Sequence, residues 1–482
     1  MARLKLLDRI SPTLWVTIQT TFVQFFGFAL FAIQAPLLGP RAFGLISIVM
    51  VFAGFVESVL GEVASDTLVS IREIAPEHYQ TMTTVCAVIS LVCGAAMFLS
   101  AGAIARWFNE PDLVSISHWM AVLPLFSTLA AAPNAATKRE MQFRPLAQRA
   151  IISVLVSGAV GIALMFTGYG VWALVWQTIV QKFLAAVMLW IAVPLRFRLG
   201  FSARHFADFH RFAVPMLLSR TMSWGASQLP RFVLGIYIGA TELGVFSLAA
   251  RLSDVLVQMF LVPRYAVARV ELRKYATDNT GLDEALHQLI FRYSFLSFPL
   301  CIGGAAVAPT LFHVWLDPRW YDAIIPAQLM FLLCIPYVTI YAIGALLMAF
   351  NRQTAEAIQS TVQGVTTVLV ALVAAPYGII AASAAISARP LVLLPLPLWL
   401  ARTQCGVAAK QILQPQMPVL LAAGLMGAVV LLLQWQLHDR IPPAWLLPIL
   451  MIAGAVTYAA LITLAVPGLF AQSLKRVTAR FG

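Results

Sequence analysis

LGPRAFGLIS, residues 38–47, returns two hundred positions later as IGATELGVFS, residues 238–247. Gly39 and Gly239, Gly44 and Gly244, and Ser47 and Ser247 coincide, and each copy joins one apolar stretch to the next. Two further pairs keep the order. Glu110-Pro111 is matched by Asp317-Pro318 at an offset of 207, and Tyr169-Gly170-Val171 by Tyr377-Gly378-Ile379 at 208. Any one pair is weak, but three in order at nearly constant spacing mean that the chain is built twice from one plan. Each copy holds an even number of apolar stretches, so both begin on the same side, as parallel repeats do.

Working outward, about fourteen apolar stretches fill the chain, each near the roughly 20 residues a spanning helix needs. They run 12–38, 44–70, 81–105, 114–137, 147–168, 171–194, 212–239, 242–270, 288–316, 324–350, 357–377, 378–401, 416–435 and 444–466. Hydrophobic residues make up 61% and charged residues 11%, against roughly 25% charged in a soluble domain. The expected fold is an all-α polytopic membrane protein: two parallel-repeat six-helix bundles, 1–195 and 212–402, joined by a basic linker, 196–211. Two extra helices and a basic tail complete the chain at 403–482. The longest polar segment, Arg269 to His287, is too short for an appended catalytic domain.

The net charge is +12, and its placement decides its meaning. Lys and Arg cluster in the loops after every even-numbered stretch and at both ends, with Arg196, Arg198, Arg204, His205, His210 and Arg211 in the central linker. That alternation is the positive-inside rule and puts both termini in the cytoplasm, facing anionic membrane lipids. Nucleic acid is not needed to explain the charge. The basic start, Met1 to Ser11, precedes an apolar stretch too long for a cleaved signal, so it reads as a permanent first helix. Cys86, Cys93, Cys301 and Cys334 lie inside apolar stretches without metal-type spacing and read as small core hydrophobes. No metal and no cofactor are expected. His118 and His313 lack a partner acid or a nucleophile, so no catalytic constellation is visible and the chain reads as a non-enzyme.

An ionisable group at mid-bilayer costs at least roughly 2.5–3.5 kcal/mol and so faces protein or a wet cavity. Lys182, Arg220, Arg231, Arg251, Arg264, Arg292 and Arg389 are such groups, with Lys182, Arg220, Arg251 and Arg389 nearest the midplane. Lys182 and Arg389 follow the matched Gly170 and Gly378 by 12 and 11 residues, so each repeat offers one cation at nearly the same depth. A transported anion would be gripped there. Glu57, Glu62 and Asp66 on the second stretch, with Asp254, are the acids; Glu62 and Asp66 share a helical face. They read either as an ion-coupling site or as counter-charges to the arginines, and Asp254 can pair with Arg251 three residues away. Trp172, Trp176 and Trp224 could stack sugars or simply belong to core and interface.

The runs LLGPRAFGLISIVMVFAGFVE, TKREMQFRPLAQRAIISVLVSGAVGIAL and GYGVWALVWQTIVQKFL resemble polysaccharide-transporter (Wzx-like) flippases of the multidrug/oligosaccharidyl-lipid/polysaccharide exporter superfamily. The likeness is densest over 30–200 and colinear to about residue 400. One departure stands out: where relatives are Gly-rich after the second stretch, this chain has Glu62 and Asp66. The resemblance implies an inner-membrane flippase moving an undecaprenyl-pyrophosphate-linked oligosaccharide from cytoplasmic to periplasmic leaflet, for exopolysaccharide, capsule or O-antigen synthesis. It would work beside a polysaccharide polymerase and a chain-length regulator. A drug or organic-cation antiporter of the same superfamily is disfavoured because basic residues outnumber acids within the apolar stretches. A membrane glycan ligase would need a larger external loop. The topology is open to direct measurement. Reporter fusions at Gly170, Pro318 and Ile441 should all read external, and a cytoplasmic signal at Gly170 would remove both the orientation and the parallel repeat.

Overall fold

The computed structural model describes residues 12–193, 198–275 and 281–465. The basic start, Arg196 of the linker and the basic tail lie outside the described residues, as do the side chains of His210, Arg211 and Cys334. Helices account for all the regular structure that is described. In chain order they are α1 (Leu14–Leu37), α2 (Pro40–Ser70), α3 (Pro76–Trp107), α4 (Asp112–Arg139), α5 (Phe143–Phe166) and α6 (Val171–Ala192). Next come α7 (203–238) and α8 (240–273), separated by a non-helical Gly239 at φ 81°, ψ 174°. The series closes with α9 (Leu282–Trp315), α10 (Pro318–Ala349), α11 (Gln353–Tyr377), α12 (Ile379–Cys405), α13 (Ala409–Leu437) and α14 (Pro443–Ala465). The expected fourteen spans are present; thirteen uninterrupted segments are long and apolar enough to cross a membrane, one of them holding α7 and α8 together.

Two compact units are formed, Met1–Gly244 and Val245–Gly482. In the first, α5 packs along α1 and α6, and α4 runs between α3 and α6. Leu68, Met82, Cys86 and Ala135 close a small core between α2, α3 and α4. In the second, α9 packs against α10, α13 and α14 around a core that includes Phe298, Leu346 and Ala423. Proline opens α2 and α3 at a position whose N–H would be unpaired anyway.

The repeat is written into the backbone as well as the sequence. Gly170 and Gly378 both have positive φ, 54° and 89°, directly before α6 and α12. Helix α4 ends with Met141 at φ 56°, and α10 with Asn351 at φ 56°. The same left-handed cap closes each, with Gln142 N donating to Thr137 O and Arg352 N to Leu347 O. Within α2 a π-helical turn spans Val56–Gly61, and within α8 another spans Val257–Leu261. These last two features have no sequence identity behind them.

The opening motif is also where backbones meet most closely. A Cβ on Gly44 would stand 1.7 Å from Ala240 O, and one on Gly244 1.8 Å from Pro40 O. The approach is reciprocal, with the two copies lying carbonyl against glycine. Only hydrogen fits between them, which is why glycine recurs at both places. Gly44→Ala and Gly244→Ala should each lower thermal stability in detergent by about 1–3 kcal/mol through overpacking. Gly102, whose added Cβ meets nothing within 4 Å, is the control: Gly102→Ala should be neutral or stabilising by up to about 1 kcal/mol.

Candidate functional site

Acids inside an apolar helix need partners, and α2 shows how they are found. Its π turn contains Glu57 and ends immediately before Glu62. Such a turn inserts one extra residue, rotating the helix beyond it relative to the helix before it. Glu57 pairs with Lys182 of α6. Glu62 lies 2.5 Å from Arg220 Nη1 on α7. Asp66 is shared: Arg220 Nη2 donates to one oxygen at 3.0 Å and Lys138 Nζ to the other, also at 3.0 Å. One turn beyond, Arg139 donates to the carbonyls of Leu68, Val69 and Ile71 at the end of α2. A guanidinium there satisfies carbonyls that the helix leaves open.

Glu57 and Lys182 line a cavity of about 370 Å³ within the first unit, together with Gln24, Glu62, Asn134 and Arg149. Arg149 interacts electrostatically with Glu57. The cavity therefore holds two cations and two carboxylates among amides and hydroxyls. It is a charged, partly open pocket within an otherwise apolar bundle, with Lys182 and Arg149 as the groups that can hold an anion.

The second unit treats its matched cation differently. Arg389 on α12 is 6% exposed. Its Nη1 donates to Gln363 O and Thr367 Oγ1 of α11, and its Nη2 to the Tyr337 hydroxyl of α10 at 3.3 Å. All three partners are neutral. Its Nε is buried with no hydrogen-bond partner. So the two residues that the repeat equates are held by opposite means, Lys182 by a carboxylate and Arg389 by uncharged oxygens.

The remaining sequence candidates are scattered. Arg231 donates to Gln228 Oε1 at 3.4 Å on its own helix. Arg251 and Asp254 are both exposed on α8. Arg264 stands 5.9 Å from the Phe260 ring, its carbonyl accepting from Tyr293. Trp224 packs edge-on to Phe55 at 5.1 Å and Trp176 tilts against Trp119 at 5.2 Å. Among the described residues no group of His, Cys, Asp and Glu could hold a metal ion.

Arg149 is absent from the intramembrane cations picked out from the sequence, because it stands only two residues inside the expected stretch 147–168. Phe143 begins α5 directly after the left-handed cap at Met141, which puts Arg149 about 9 Å inside the helix by its rise. Pro145 was the available signal. Proline belongs to a first helical turn, so the helix must start before it.

The family model for polysaccharide biosynthesis proteins matches residues 33–325. That is more than half of the chain, and the chain belongs to this family, as its resemblance to the Wzx-like flippases implies. It is 23% identical over 306 residues to the succinoglycan biosynthesis transport protein ExoT of Rhizobium meliloti (strain 1021), covering 64% of this chain and 62% of that one. To the teichuronic acid biosynthesis protein TuaB of Bacillus subtilis (strain 168) it is 23% identical over 261 residues, 53% of each. The alignments thus span about half to three fifths of these relatives. In fold it is similar to the lipid II flippase MurJ in an inward closed conformation, at TM-score 0.74 and 16% identity, covering 96% of this chain and 99% of that one.

The ion network on α2 makes a ranked prediction. Asp66 bridges two cations, whereas Glu62 meets one and is the more exposed of the two. Asp66→Asn should lower the thermal midpoint in detergent clearly more than Glu62→Gln, and the gap should close in Lys138→Met. Equal effects of the two amides in the unaltered background would refute the bridging role.

Proposed function

We propose that this protein carries a pyrophosphate-linked oligosaccharide on an undecaprenyl chain across the inner membrane, from cytoplasmic to periplasmic leaflet, by alternating access. The observation that carries the reading is the cavity of the first unit, where Lys182 and Arg149 face Glu57 inside an apolar bundle. Family membership and the MurJ-like fold make transport for polysaccharide synthesis the matching task. The lipid-linked oligosaccharide is the substrate, and a polymerase and chain-length regulator are the partners such a product calls for.

The chemistry turns on which charges are already paired within the protein. Glu57 is the counter-ion of Lys182, so the cation is stable without substrate. A pyrophosphate entering beside Lys182 and Arg149 brings more negative charge than Glu57 holds and takes over the pairing. Two unit charges 4 Å apart attract by about 4 kcal/mol at an effective dielectric of 20, so the exchange is between interactions of similar size and is readily reversed on release. Protonating Glu57 removes the competitor and leaves Lys182 free for the anion. That ties substrate grip to proton uptake and gives the acid a coupling role, while Glu62 and Asp66 act as counter-charges to Arg220 and Lys138. An organic cation fits less well, because every acid of the α2 group already faces a protein cation.

Export assays separate these roles. Lys182→Gln and Arg149→Gln should each block surface glycan and strand lipid-linked intermediates in the inner leaflet. The loss of anion contact is on the order of 2–5 kcal/mol where the site is dry and less where water enters. Glu57→Gln should still bind pyrophosphate but lose its response to an imposed proton gradient. Arg389→Lys keeps the charge without the planar fork and should fall between wild type and Arg389→Gln. Normal export by Lys182→Gln at wild-type protein level would defeat the cavity assignment.

A further inference from the structure

Helices α3, α4 and α6 of the first unit border a second, open hollow of about 500 Å³. It differs from the charged cavity in every respect but one. Its walls are aromatic and aliphatic: Phe98, Trp119, Val122, Trp176 and Ile179, with the His118 ring stacked on Phe98 at a centroid distance of 4.0 Å. Trp119 is 52% exposed, so the hollow opens outward. The shared element is Phe126, which lines this groove and the charged cavity alike. Phe126 meets Phe183 edge to face at 5.3 Å, and Phe183 directly follows Lys182 in sequence.

The two compartments are therefore consecutive along the same two helices. On α4, Trp119 and Val122 line the groove, Phe126 belongs to both, and Asn134 lines the cavity. On α6, Trp176 and Ile179 line the groove, and Lys182 lines the cavity, about 4.5 Å further along by helical rise. A charged pocket that continues past one aromatic partition into an apolar groove matches a molecule with an anionic head and a long hydrocarbon chain.

We propose that the α3–α4–α6 groove holds the isoprenoid chain of the substrate while its pyrophosphate sits beside Lys182 and Arg149, with Phe126 as the partition the chain passes. This rests on the reading of the cavity as a pyrophosphate site. A sugar is a poor occupant, because beyond the His118 and indole nitrogens the groove offers it few hydrogen-bonding groups, and unmet hydroxyls are costly. Flat aromatic faces suit the repeated double bonds and methyl groups of an isoprenoid.

The test uses full-length protein in nanodiscs, with inorganic pyrophosphate and then geranyl, farnesyl and geranylgeranyl pyrophosphate as probes. Wild type should bind the prenyl series with affinity rising on the order of tenfold or more from geranyl to geranylgeranyl, as burial of each added unit contributes. Val122→Trp, which fills the groove, and Trp119→Ala, which strips its outer wall, should flatten that rise. Photo-crosslinking from benzoylphenylalanine at position 119 should label a prenyl probe and be competed by geranylgeranyl pyrophosphate. A rise that persists in both variants overturns the groove assignment while leaving the head-group reading intact. So does crosslinking only to bulk phospholipid, or to glycan, without competition. Failure of wild type to bind inorganic pyrophosphate overturns the head-group reading instead; a chain-length rise that both variants still flatten would then leave the groove standing.

Discussion

A carboxylate in the middle of an apolar helix is tolerable only beside a cation or in a wet cavity, and α2 carries three of them. That constraint organises the first unit. Glu57 ties α2 to α6 through Lys182, Glu62 ties it to α7 through Arg220, and Asp66 ties it to α7 and α4 through Arg220 and Lys138. These pairs are partly exposed, so their worth lies less in net stability than in the penalty for leaving any member alone. The same arrangement leaves a pocket lined by both signs of charge, Lys182 and Arg149 beside Glu57 and Glu62.

The π turn of α2 belongs to this account. It bonds the Glu62 N–H to the Glu57 carbonyl five residues back, which brings the two acids onto the same cavity although their partners come from α6 and α7. Its counterpart in α8 has Val257 and Val262 where α2 has Glu57 and Glu62. The backbone device is thus common to both repeats, while the acids belong to the first alone. A chain assembled from two copies of one plan keeps the shape and divides the chemistry. The matched cations show the same division: Lys182 has an acidic partner, and Arg389 is held by neutral oxygens.

Much of this was legible in the residues. Composition, the length of the apolar stretches and the alternation of basic loops specify a helical membrane protein, because bilayer thickness and backbone hydrogen bonding leave few alternatives. The recurrence of Gly44 and Gly170 specifies the duplication, since a close backbone contact at the one and a positive φ at the other admit little else. The left-handed caps at Met141 and Asn351 and the paired π turns were not legible. Their residues differ between the copies, and a π turn is a response to packing rather than to local preference.

The sequence by itself determined the solvent of each segment, the number of spans and the identity of the charges that had to be partnered, because those depend on transfer free energies summed along the chain. Tertiary structure decided who partners whom. No acid lies near Lys182 on its own helix, yet Glu57 reaches it from α2, 125 positions away. Arg149 lies well inside α5 because the helix starts at Phe143, ahead of the expected stretch at 147, and there it lines the cavity. Phe126 came to divide a charged pocket from an aromatic groove through the packing of α4 between α3 and α6, a relation between helices that no spacing along one of them encodes.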